Sequence, residues 1–404
     1  MSNLEHMRVI QIADVYKAGR KAAQLKRTSL GTEFSYLSEY LSEGIPIATT
    51  LPLSDEPSFT TPGSVPPFFA GLLPEGRRLL GLRRSVKTSA DDEFSLLLAV
   101  GRDPVGDVQV VPENEQPLAP EPLILVQKSF GEVRFRDVLA DVGVIDRVSI
   151  PGVQEKASAG MISVPVALSG HRYILKVDPP EYPHVVENEF YFISFAKAIG
   201  IPTVDAQLVQ DGDGAKGLLL RRFDRVSELD GSTTTLACED ACQLLGRWPG
   251  DKYNVSYEDV ARAVASVCAA EVIASRDVFR QICFALLTGN GDVHAKNISV
   301  VKSRAGEWSV APAYDLPSTV LYGDLTMALT LEGRTTELSR RSVMAYASTI
   351  GLSEIAATKI LDGLLSDTAP ILKELKEGAL PFDENTISKT LRVFSHRRKI
   401  LLRK

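Results

Sequence analysis

The sequence predicts an α+β fold of two lobes, with a mixed α/β N-lobe, an extra N-terminal subdomain and a mostly helical C-lobe. Strand-like alternation and turns rich in Pro and Gly dominate the first part of the chain. From Leu236 onward, apolar residues recur mostly at helical spacing, as in the stripe from Val278 to Leu287. A chain of 404 residues exceeds one compact core, so two or three domains are expected.

Composition indicates a globular protein and excludes some classes. Hydrophobic residues make up 44%, which argues against disorder, and the net charge of −6 excludes a globally basic nucleic-acid binder. No apolar run reaches the roughly 18 residues of a membrane span. The first residues lack a signal-peptide pattern, so we expect a cytoplasmic protein without a membrane partner. The four cysteines form no CxxC pair; we expect them as buried thiols in helical segments: Cys238, Cys242, Cys268 and Cys283.

Segments rich in Pro and Gly suggest the domain boundaries. We expect an N-terminal subdomain over residues 7–110, a linker rich in Pro and Glu over 111–128, the N-lobe over 129–225 and the C-lobe over 226–404. Inside the subdomain, one helix should start near Glu75 and another should be capped by Asp91 or Asp92. A further capped helix is expected near residues 130–142.

The most informative stretch covers residues 288–299, Thr-Gly-Asn-Gly-Asp-Val-His-Ala-Lys-Asn-Ile-Ser. It places Asn297 five residues after Asp292, and Asp315 follows beyond an expected hairpin. In kinases an Asp orients the attacking hydroxyl, while an Asn five residues on and a later Asp hold Mg²⁺. The His-Arg-Asp triplet of kinases is absent, and the Asp–Asn spacing alone is weak, so Asp292 as a turn cap is the alternative.

A strand, loop, strand, turn, strand order precedes Lys176, as in a kinase N-lobe. Only Gly152 serves the loop, so a plain hairpin is the alternative. An expected helix near residues 184–199 offers Glu189 as the carboxylate partner of Lys176; Glu187 competes, and a solvated Glu is the default for either.

A second hairpin, with strands near residues 207–209 and 217–220, leads into Arg-Arg-Phe-Asp-Arg at residues 221–225. This is the hinge position of a kinase, where backbone groups meet adenine. Helices are then expected near 236–246, 256–270 and 276–289, and again within 338–404. The last sixteen residues carry seven cations and no acid, which predicts a solvated face or a DNA contact: Lys389, Arg392, Arg397, Arg398, Lys399, Arg403 and Lys404.

These motifs together resemble the HipA family of bacterial toxin kinases. The resembling segments are Ser-Ile-Pro-Gly-Val-Gln-Glu-Lys from residue 149, Ile-Leu-Lys, Arg-Phe-Asp-Arg, Gly-Asn-Gly-Asp-Val-His-Ala-Lys-Asn and Ala-Tyr-Asp-Leu. Leu-Leu-Pro-Glu-Gly near residue 72 and Gly-Arg-Asp-Pro-Val-Gly near 101 resemble its N-terminal subdomain. The resemblance implies a protein-kinase-like fold and a Ser/Thr kinase that uses ATP and Mg²⁺ as the toxin of a toxin–antitoxin pair. It also implies a helix-turn-helix antitoxin, operator DNA bound through that complex, and an aminoacyl-tRNA synthetase as substrate.

The resemblance implies the following site roles. Asp292 is the catalytic residue, Asn297 and Asp315 hold Mg²⁺, and Ser149 is autophosphorylated, which we expect to switch the kinase off. Lys176 contacts phosphates with Glu189 as partner, and Asp224 lies near the ribose. The remaining nucleotide contacts are the loop residues Pro151, Gly152, Val153, Gln154, Glu155 and Lys156, the hinge residues Arg221, Arg222 and Phe223, and His294 and Tyr314.

Two departures from the family pattern stand in the sequence. Pro151 replaces a small residue in the loop, and Arg221 stands where an acidic residue can occur. Two other functions remain open at this point: a kinase-like co-repressor with little catalysis, and a small-molecule kinase, because fold-level motifs do not name the acceptor.

Overall fold

The structure is a computed structural model that describes residues 4–118, 124–126, 130–137, 162–168 and 171–403. Ser149, the loop residues 151–156, the turn at residues 169–170 and the linker beyond residue 118, apart from 124–126, lie outside the described residues. Only the start of the expected helix near 130–142 is described, as a 3-10 turn at Phe130–Glu132 and helical residues 135–137.

The N-terminal domain is built on a five-stranded antiparallel sheet in the order β4-β3-β2-β1-β5. The strands are β1 (Ile12–Lys17), β2 (Arg20–Thr28), β3 (Gly31–Tyr36), β4 (Ser58–Thr60) and β5 (Val108–Pro112). Four helices accompany it: α1 (Ser38–Leu41), α2 (Pro67–Gly71), α3 (Gly76–Val86) and α4 (Glu93–Val100). Phe34, Phe69 and Phe94 lie in its core.

Local chemistry explains where these helices begin. Pro67 opens α2, where a missing N–H costs nothing. The Asp92 side chain accepts the N–H of Ser95 and caps α4, as the sequence predicts. Helix α3 follows Glu75 at its N-cap, and Lys87 ends it in the left-handed conformation.

The N-lobe sheet has the order β6-β7-β8-β10-β9. Its strands are β6 (Ile124–Val126), β7 (Ile162–Leu168), β8 (His171–Val177), β9 (Ala206–Gln210) and β10 (Lys216–Arg221), and only β6 and β7 pair in parallel. Alternation divides β10 between two cores: Leu219 packs with Phe130 and Phe135, whereas Leu218 and Leu220 join the large core. Helix α5 (Val185–Ala198) also packs into that large core.

The C-lobe holds two small sheets and seven helices in the described part of the chain. The strands are β11 (Arg225–Ser227) with β12 (Thr233–Thr235), and β13 (Cys238–Asp240) with β14 (Ser299–Lys302) and β15 (Trp308–Val310). The helices are α6 (Ala241–Leu244), α7 (Tyr257–Val267), α8 (Glu271–Thr288), α9 (Arg340–Thr349), α10 (Glu354–Asp367), α11 (Pro370–Lys376) and α12 (Glu384–Leu402).

The helix expected near residues 236–246 is wrong in its first part. Residues of β13 pair with β14 instead, and Asp240 then caps the short α6 through a capping box with Gln243. Cys238 is therefore in a strand rather than a helix, and Cys268 follows the last residue of α7. All four thiols are free and buried, as expected. Among the described helices, none combines the length and apolar character that a membrane crossing requires.

Candidate active site

The catalytic loop leaves the buried helix α8 through Gly289, whose φ of +71° is left-handed. A Cβ at this position would lie 2.5 Å from Cγ2 of Val320. Glycine is therefore favoured here both by the left-handed backbone and by the lack of space for a side chain. The loop then places Asp292, which is 2% exposed, below the N-lobe. The N–H of Asp292 donates to Oδ1 of Asn290 at 3.0 Å.

Tyr253 positions the carboxylate of Asp292. Its hydroxyl donates to Oδ1 of Asp292 at 2.8 Å, and burial together with the charge of Asp292 raises the pKa of Tyr253. The ring of His294 meets Tyr253 edge-on at 5.1 Å. Sequence reasoning missed Tyr253, because it lies 39 residues before Asp292 and belongs to no motif.

Asn297 joins the catalytic loop to Asp315. Its Nδ2 donates to the carbonyl of Asp292 at 2.8 Å and to Oδ2 of Asp315 at 2.9 Å. Asn290 donates to the carbonyl of Asp315 at 2.9 Å. Asp315 has a φ of +57°, a conformation uncommon for residues other than glycine. The loop thus holds Asp315 in a strained backbone conformation that aims its carboxylate at Asn297.

Lys176 reaches across from strand β8 to both lobes. Its Nζ lies 2.9 Å from each oxygen of Glu189 on α5 and 3.2 Å from Oδ1 of Asp315. Burial alone would lower the pKa of Lys176, but the two carboxylates outweigh it and raise that pKa. Burial raises the pKa of Glu189 to about 7, since Lys176 offsets burial only in part and Asp315 adds like charge. One charged ammonium therefore faces two carboxylates.

The competing carboxylate, Glu187, points elsewhere. It contacts His184 at 2.9 Å and the ammonium of Lys216. Of the two glutamates considered from the sequence, Glu189 is the one that the structure brings to Lys176.

A cavity of about 340 Å³ opens beside Lys176 and the hinge. Ile174 and Leu220 come from the sheet, while Phe223 and Tyr314 stack with ring centroids 6.0 Å apart. The Tyr314 hydroxyl donates to the carbonyl of Lys296 at 2.7 Å and lies 2.5 Å from Oγ of Ser299. An apolar slot with an aromatic wall and a few polar groups suits a planar base.

The hinge backbone is partly engaged within the protein. The N–H of Arg221 donates to the carbonyl of Asp205 at 2.9 Å, and the N–H of Arg222 donates to that of Arg172 at 3.0 Å. Adenine recognition by either N–H would compete with these bonds, so the backbone at Phe223 is the better placed of the three predicted hinge residues.

The side chains of Arg222 and Asp224 serve a buried network at the boundary with the N-terminal domain. Oδ2 of Asp224 accepts from Arg222 at 2.8 Å, from Arg225 at 2.7 Å and from the N–H of Gly106 at 2.9 Å, while Oδ1 accepts from Nε of Arg222 at 3.0 Å. Burial would raise the pKa of Asp224, but both arginines outweigh it and lower it. Both oxygens are engaged, so a ribose contact would have to displace these partners; that contact stays a prediction.

The donor set fits Mg²⁺ in its chemistry. Mg²⁺ takes oxygen ligands and is commonly held by one or two carboxylates together with substrate phosphates. Asp315 offers a carboxylate, and the adjacent Asn297, whose Nδ2 donates to that carboxylate in this structure, would offer its amide oxygen to a metal after rotation of the amide. The described residues contain no group of three or more His, Cys, Asp or Glu side chains that could hold a metal.

Two of the seven C-terminal cations do not form a solvated face. Arg397 on α12 donates to the carbonyls of Leu286 and Leu325 at 2.9 and 2.6 Å. Arg398 donates to Oγ1 of Thr368 at 2.8 Å and to the carbonyl of Leu365. Both guanidinium groups tie the last helix to the C-lobe, and a DNA contact of this cationic segment stays a prediction.

Sequence and structure comparisons agree with this geometry. A family model of the HipA-like C-terminal domain matches residues 148–370, and a model of the HipA N-terminal domain matches residues 13–111. A putative kinase, Y4mE, of Sinorhizobium fredii is 28% identical over 91% of this chain and 92% of its own. A second one, Y4dM, of the same organism is 33% identical over 76% of this chain and 74% of its own. The serine/threonine-protein kinase toxin HipA of Shewanella oneidensis is 29% identical over 77% and 75%.

A solved structure shows the same fold. It is that of the Shewanella oneidensis toxin–antitoxin system HipA and HipB with operator DNA, with a TM-score of 0.77 at 22% identity over 96% of this chain and 97% of that chain. The kinase-like α+β fold expected from the sequence is therefore confirmed. The C-terminal family model covers more than half of the chain, and its boundaries enclose every residue of the Lys176, Glu189, Asn297 and Asp315 cluster. The chain belongs to the HipA family of serine/threonine-protein kinases.

Proposed function

We propose that this chain transfers the γ-phosphoryl group of ATP to a serine or threonine of a protein and acts as the toxin of a toxin–antitoxin pair. The continuous set of contacts from Glu189 through Lys176 and Asp315 to Asn297 and Asp292 carries the proposal. These contacts join the two lobes at the edge of a cavity that suits a planar base. That combination is what phosphoryl transfer requires, since in this reaction the protein mainly positions the reactants and neutralises the charge on the phosphates.

Each residue has a distinct role in this proposal. Asp292 accepts the proton of the acceptor hydroxyl and orients it, and Tyr253 keeps the carboxylate in place. Lys176 contacts phosphate oxygens while Glu189 holds its ammonium. Asp315 and Asn297 would hold Mg²⁺, which when bound neutralises charge on the phosphates. Phe223 and Tyr314 form the aromatic wall of the base slot.

Incubation with radiolabelled ATP, Mg²⁺ and a cell lysate tests the activity. We expect labelled protein bands with the wild type and a rate about 10²- to 10⁴-fold lower with Asp292→Ala, which keeps nucleotide binding. Normal turnover by Asp292→Ala would remove Asp292 from the mechanism. Label found only on small molecules would favour a small-molecule kinase, and no label at all would favour a co-repressor.

The proposed partners are supported by the relatives. The name of one relative includes "toxin", and a solved structure of the same fold contains HipB and operator DNA. By this likeness we propose a helix-turn-helix antitoxin and operator binding through the complex. From the sequence resemblance alone we propose an aminoacyl-tRNA synthetase as substrate and a cytoplasmic location. Co-purification with the product of a neighbouring small gene, followed by an operator gel shift, tests the partner. Mass spectrometry of synthetases after incubation tests the substrate.

We further propose autophosphorylation at Ser149 as an off-switch. Ser149 immediately precedes the predicted phosphate loop, residues 151–156. A phosphate there carries about −1.5 to −2 charges and would compete with ATP for Lys176 and Lys156. Mass spectrometry after incubation with Mg²⁺-ATP should find phosphoserine at 149, and the modified form should bind ATP more weakly. An unmodified Ser149 in an active sample would contradict the switch.

A further inference from the structure

The N-terminal domain forms one wall of the nucleotide cavity. Lining residues from this domain lie on the segment before α3, in its first turn, and in the loop before β5; they include Leu72, Leu73, Pro74, Arg78, Pro104 and Val105. They face the hinge and Tyr314 across the cavity. The domain that precedes the kinase lobes therefore shares its nucleotide site.

Hydrogen bonds and ion pairs fix this wall against the kinase lobes. Lys296, next to Asn297 in the catalytic loop, donates to the carbonyl of Gly71 at 2.8 Å. Gln243 donates to the carbonyl of Phe68 at 2.8 Å, and Arg225 donates to that of Gly106 at 2.8 Å. Since these anchors lie before and after α3, the helix has a defined place at the cavity mouth.

Helix α3 runs close to the parts of the N-lobe that should handle phosphates. Arg77 pairs with Glu181 at 2.6 Å, in the segment that follows the strand of Lys176. The helix also contacts strand β7, which follows the predicted phosphate loop. The first turn of α3 thus lies beside the segment that follows β8, and the helix also packs near β7.

Two groups of cations around the cavity are neutralised by carboxylates of the protein. Arg222 and Arg225 share Asp103 and Asp224, two cations with two anions. A second group, Lys252 and Lys296 with Glu75 and Asp240, is balanced in the same way.

In the part of the chain that the structure describes, no ion pair joins Arg78 to a carboxylate. Burial and the neighbouring Arg222 lower the pKa of Arg78, and Asp103 offsets this only in part. Asp103 already receives hydrogen bonds from Arg222 and Arg225 at 3.0 and 2.8 Å. An arginine remains charged in proteins, so Arg78 presents to the cavity a positive charge that no direct ion pair within the described residues neutralises.

We propose that Arg78 binds a phosphate group of the nucleotide, so that the N-terminal domain completes the ATP site. This inference rests on the proposed ATP-dependent function. A planar guanidinium matches phosphate oxygens in pairs, and desolvation strengthens such a charged hydrogen bond. Phosphate would also give Arg78 a direct ion-pair partner, which it does not have among the described carboxylates.

Calorimetric titration of the full-length protein with ATP, ADP and adenosine, each with Mg²⁺, tests the role. Arg78→Gln keeps a polar side chain but removes the charge; Arg8→Gln, at an exposed position of the same domain, is the matched control. We expect Arg78→Gln to weaken ATP binding by about 10- to 100-fold and to leave adenosine binding unchanged. Arg78→Lys should restore part of the ATP affinity, and Arg8→Gln should match the wild type.

Several results would overturn the inference, and they differ from failure of the proposed function. Unchanged ATP affinity in Arg78→Gln, with an unfolding midpoint equal to that of the wild type, would refute the phosphate contact. Equal losses for ATP and adenosine would make Arg78 part of the wall only. A wild type that binds neither ATP nor ADP would instead refute the kinase proposal itself.

Discussion

At the scale of single residues, the arrangement around Asp292 depends on a tyrosine. The hydroxyl of Tyr253 and the amide of Asn290 hold the carboxylate side chain and the backbone of Asp292 separately. In the proposed mechanism Tyr253 is a positioning residue, because it would act on the acceptor hydroxyl through Asp292. Its hydroxyl restricts the carboxylate to one orientation, and precise placement of a general base governs rate rather than substrate affinity.

Replacing Tyr253 with Phe should lower kcat about 10-fold and leave the KM for ATP unchanged. The expected size follows from loss of one hydrogen bond to a charged group, about 1.5 kcal/mol. Steady-state kinetics on the wild type, Tyr253→Phe, Asp292→Ala and the double variant measure it. In the Asp292→Ala background the second change should have no further effect; a full additional 10-fold loss would show that Tyr253 acts independently of Asp292.

At the scale of elements, helix α8 determines where the catalytic loop starts. Gly289, which ends this helix, packs closely against Val320 and Phe394. The end of the helix, the segment after Asp315 and α12 therefore meet at this residue. A side chain there would displace the loop that carries Asp292.

Gly289→Ala should therefore destabilise the protein and also reduce kcat. The left-handed backbone alone costs about 1–2 kcal/mol for alanine, and the contacts with Val320 and Phe394 add to it. Gly306→Ala is the control, since its φ of +88° carries the same backbone cost in open space. Urea unfolding and kinetics on both variants measure the difference. Equal losses of stability with normal kcat in both would show that the packing at Gly289 is unimportant.

Helix α12 is held by its own arginines. Arg397→Ala should lower the free energy of unfolding by about 2 kcal/mol, because it removes charged hydrogen bonds to two backbone carbonyls. Lys399→Ala, exposed on the same helix, should stay within about 0.5 kcal/mol of the wild type. Urea unfolding compares them. An Arg397→Ala variant with normal stability but a flatter salt dependence of operator binding would return Arg397 to the DNA-contact reading.

At the scale of the whole molecule, a buried ion network joins the N-terminal domain to the hinge. Arg222 and Arg225 also donate to the carbonyl of Pro104 at 2.8 and 2.6 Å, so the two arginines clamp the loop before β5. This clamp places Pro104 and Val105 in the wall of the cavity, and Asp224 lies at the centre of the clamp.

Asp224→Asn should destabilise the protein by about 3–5 kcal/mol at pH 7, since it leaves two buried arginines without their shared anion. The pKa of Asp224 is lowered in the folded protein from an ordinary value of 3.8. The stabilisation is therefore present above that ordinary value and is lost as pH falls through the lower folded value. The wild-type advantage should shrink in acid, and urea unfolding at neutral and acidic pH measures it.

The exposed Asp55→Asn is the control for this change and should leave the free energy of unfolding nearly unaltered. Normal stability of Asp224→Asn combined with weaker binding of ATP, but not of deoxyadenosine triphosphate, would support the ribose contact instead.

Sequence alone determined the features that depend on local spacing. The cap at Asp92, the hairpins that frame the N-lobe sheet, and the Asp292, Asn297 and Asp315 set all follow from residues near one another in the chain. Periodicity also identified Glu189 on the inner face of α5. The helix expected at residue 238 was wrong, because pairing of β13 with the distant β14 outweighed local pattern.

Tertiary structure alone decided which side chains serve the site and which serve the scaffold. From the sequence we expected Asp224 near the ribose, and Arg397 and Arg398 on a solvated or DNA-contacting face. Packing instead engages all three side chains with partners far along the chain. Tyr253 and Arg78 read as ordinary residues, and packing brings them to Asp292 and to the nucleotide cavity. The physical reason is that a carboxylate or guanidinium takes its role from the charges and hydrogen bonds around it, and the folded chain sets those across distances that no local pattern records.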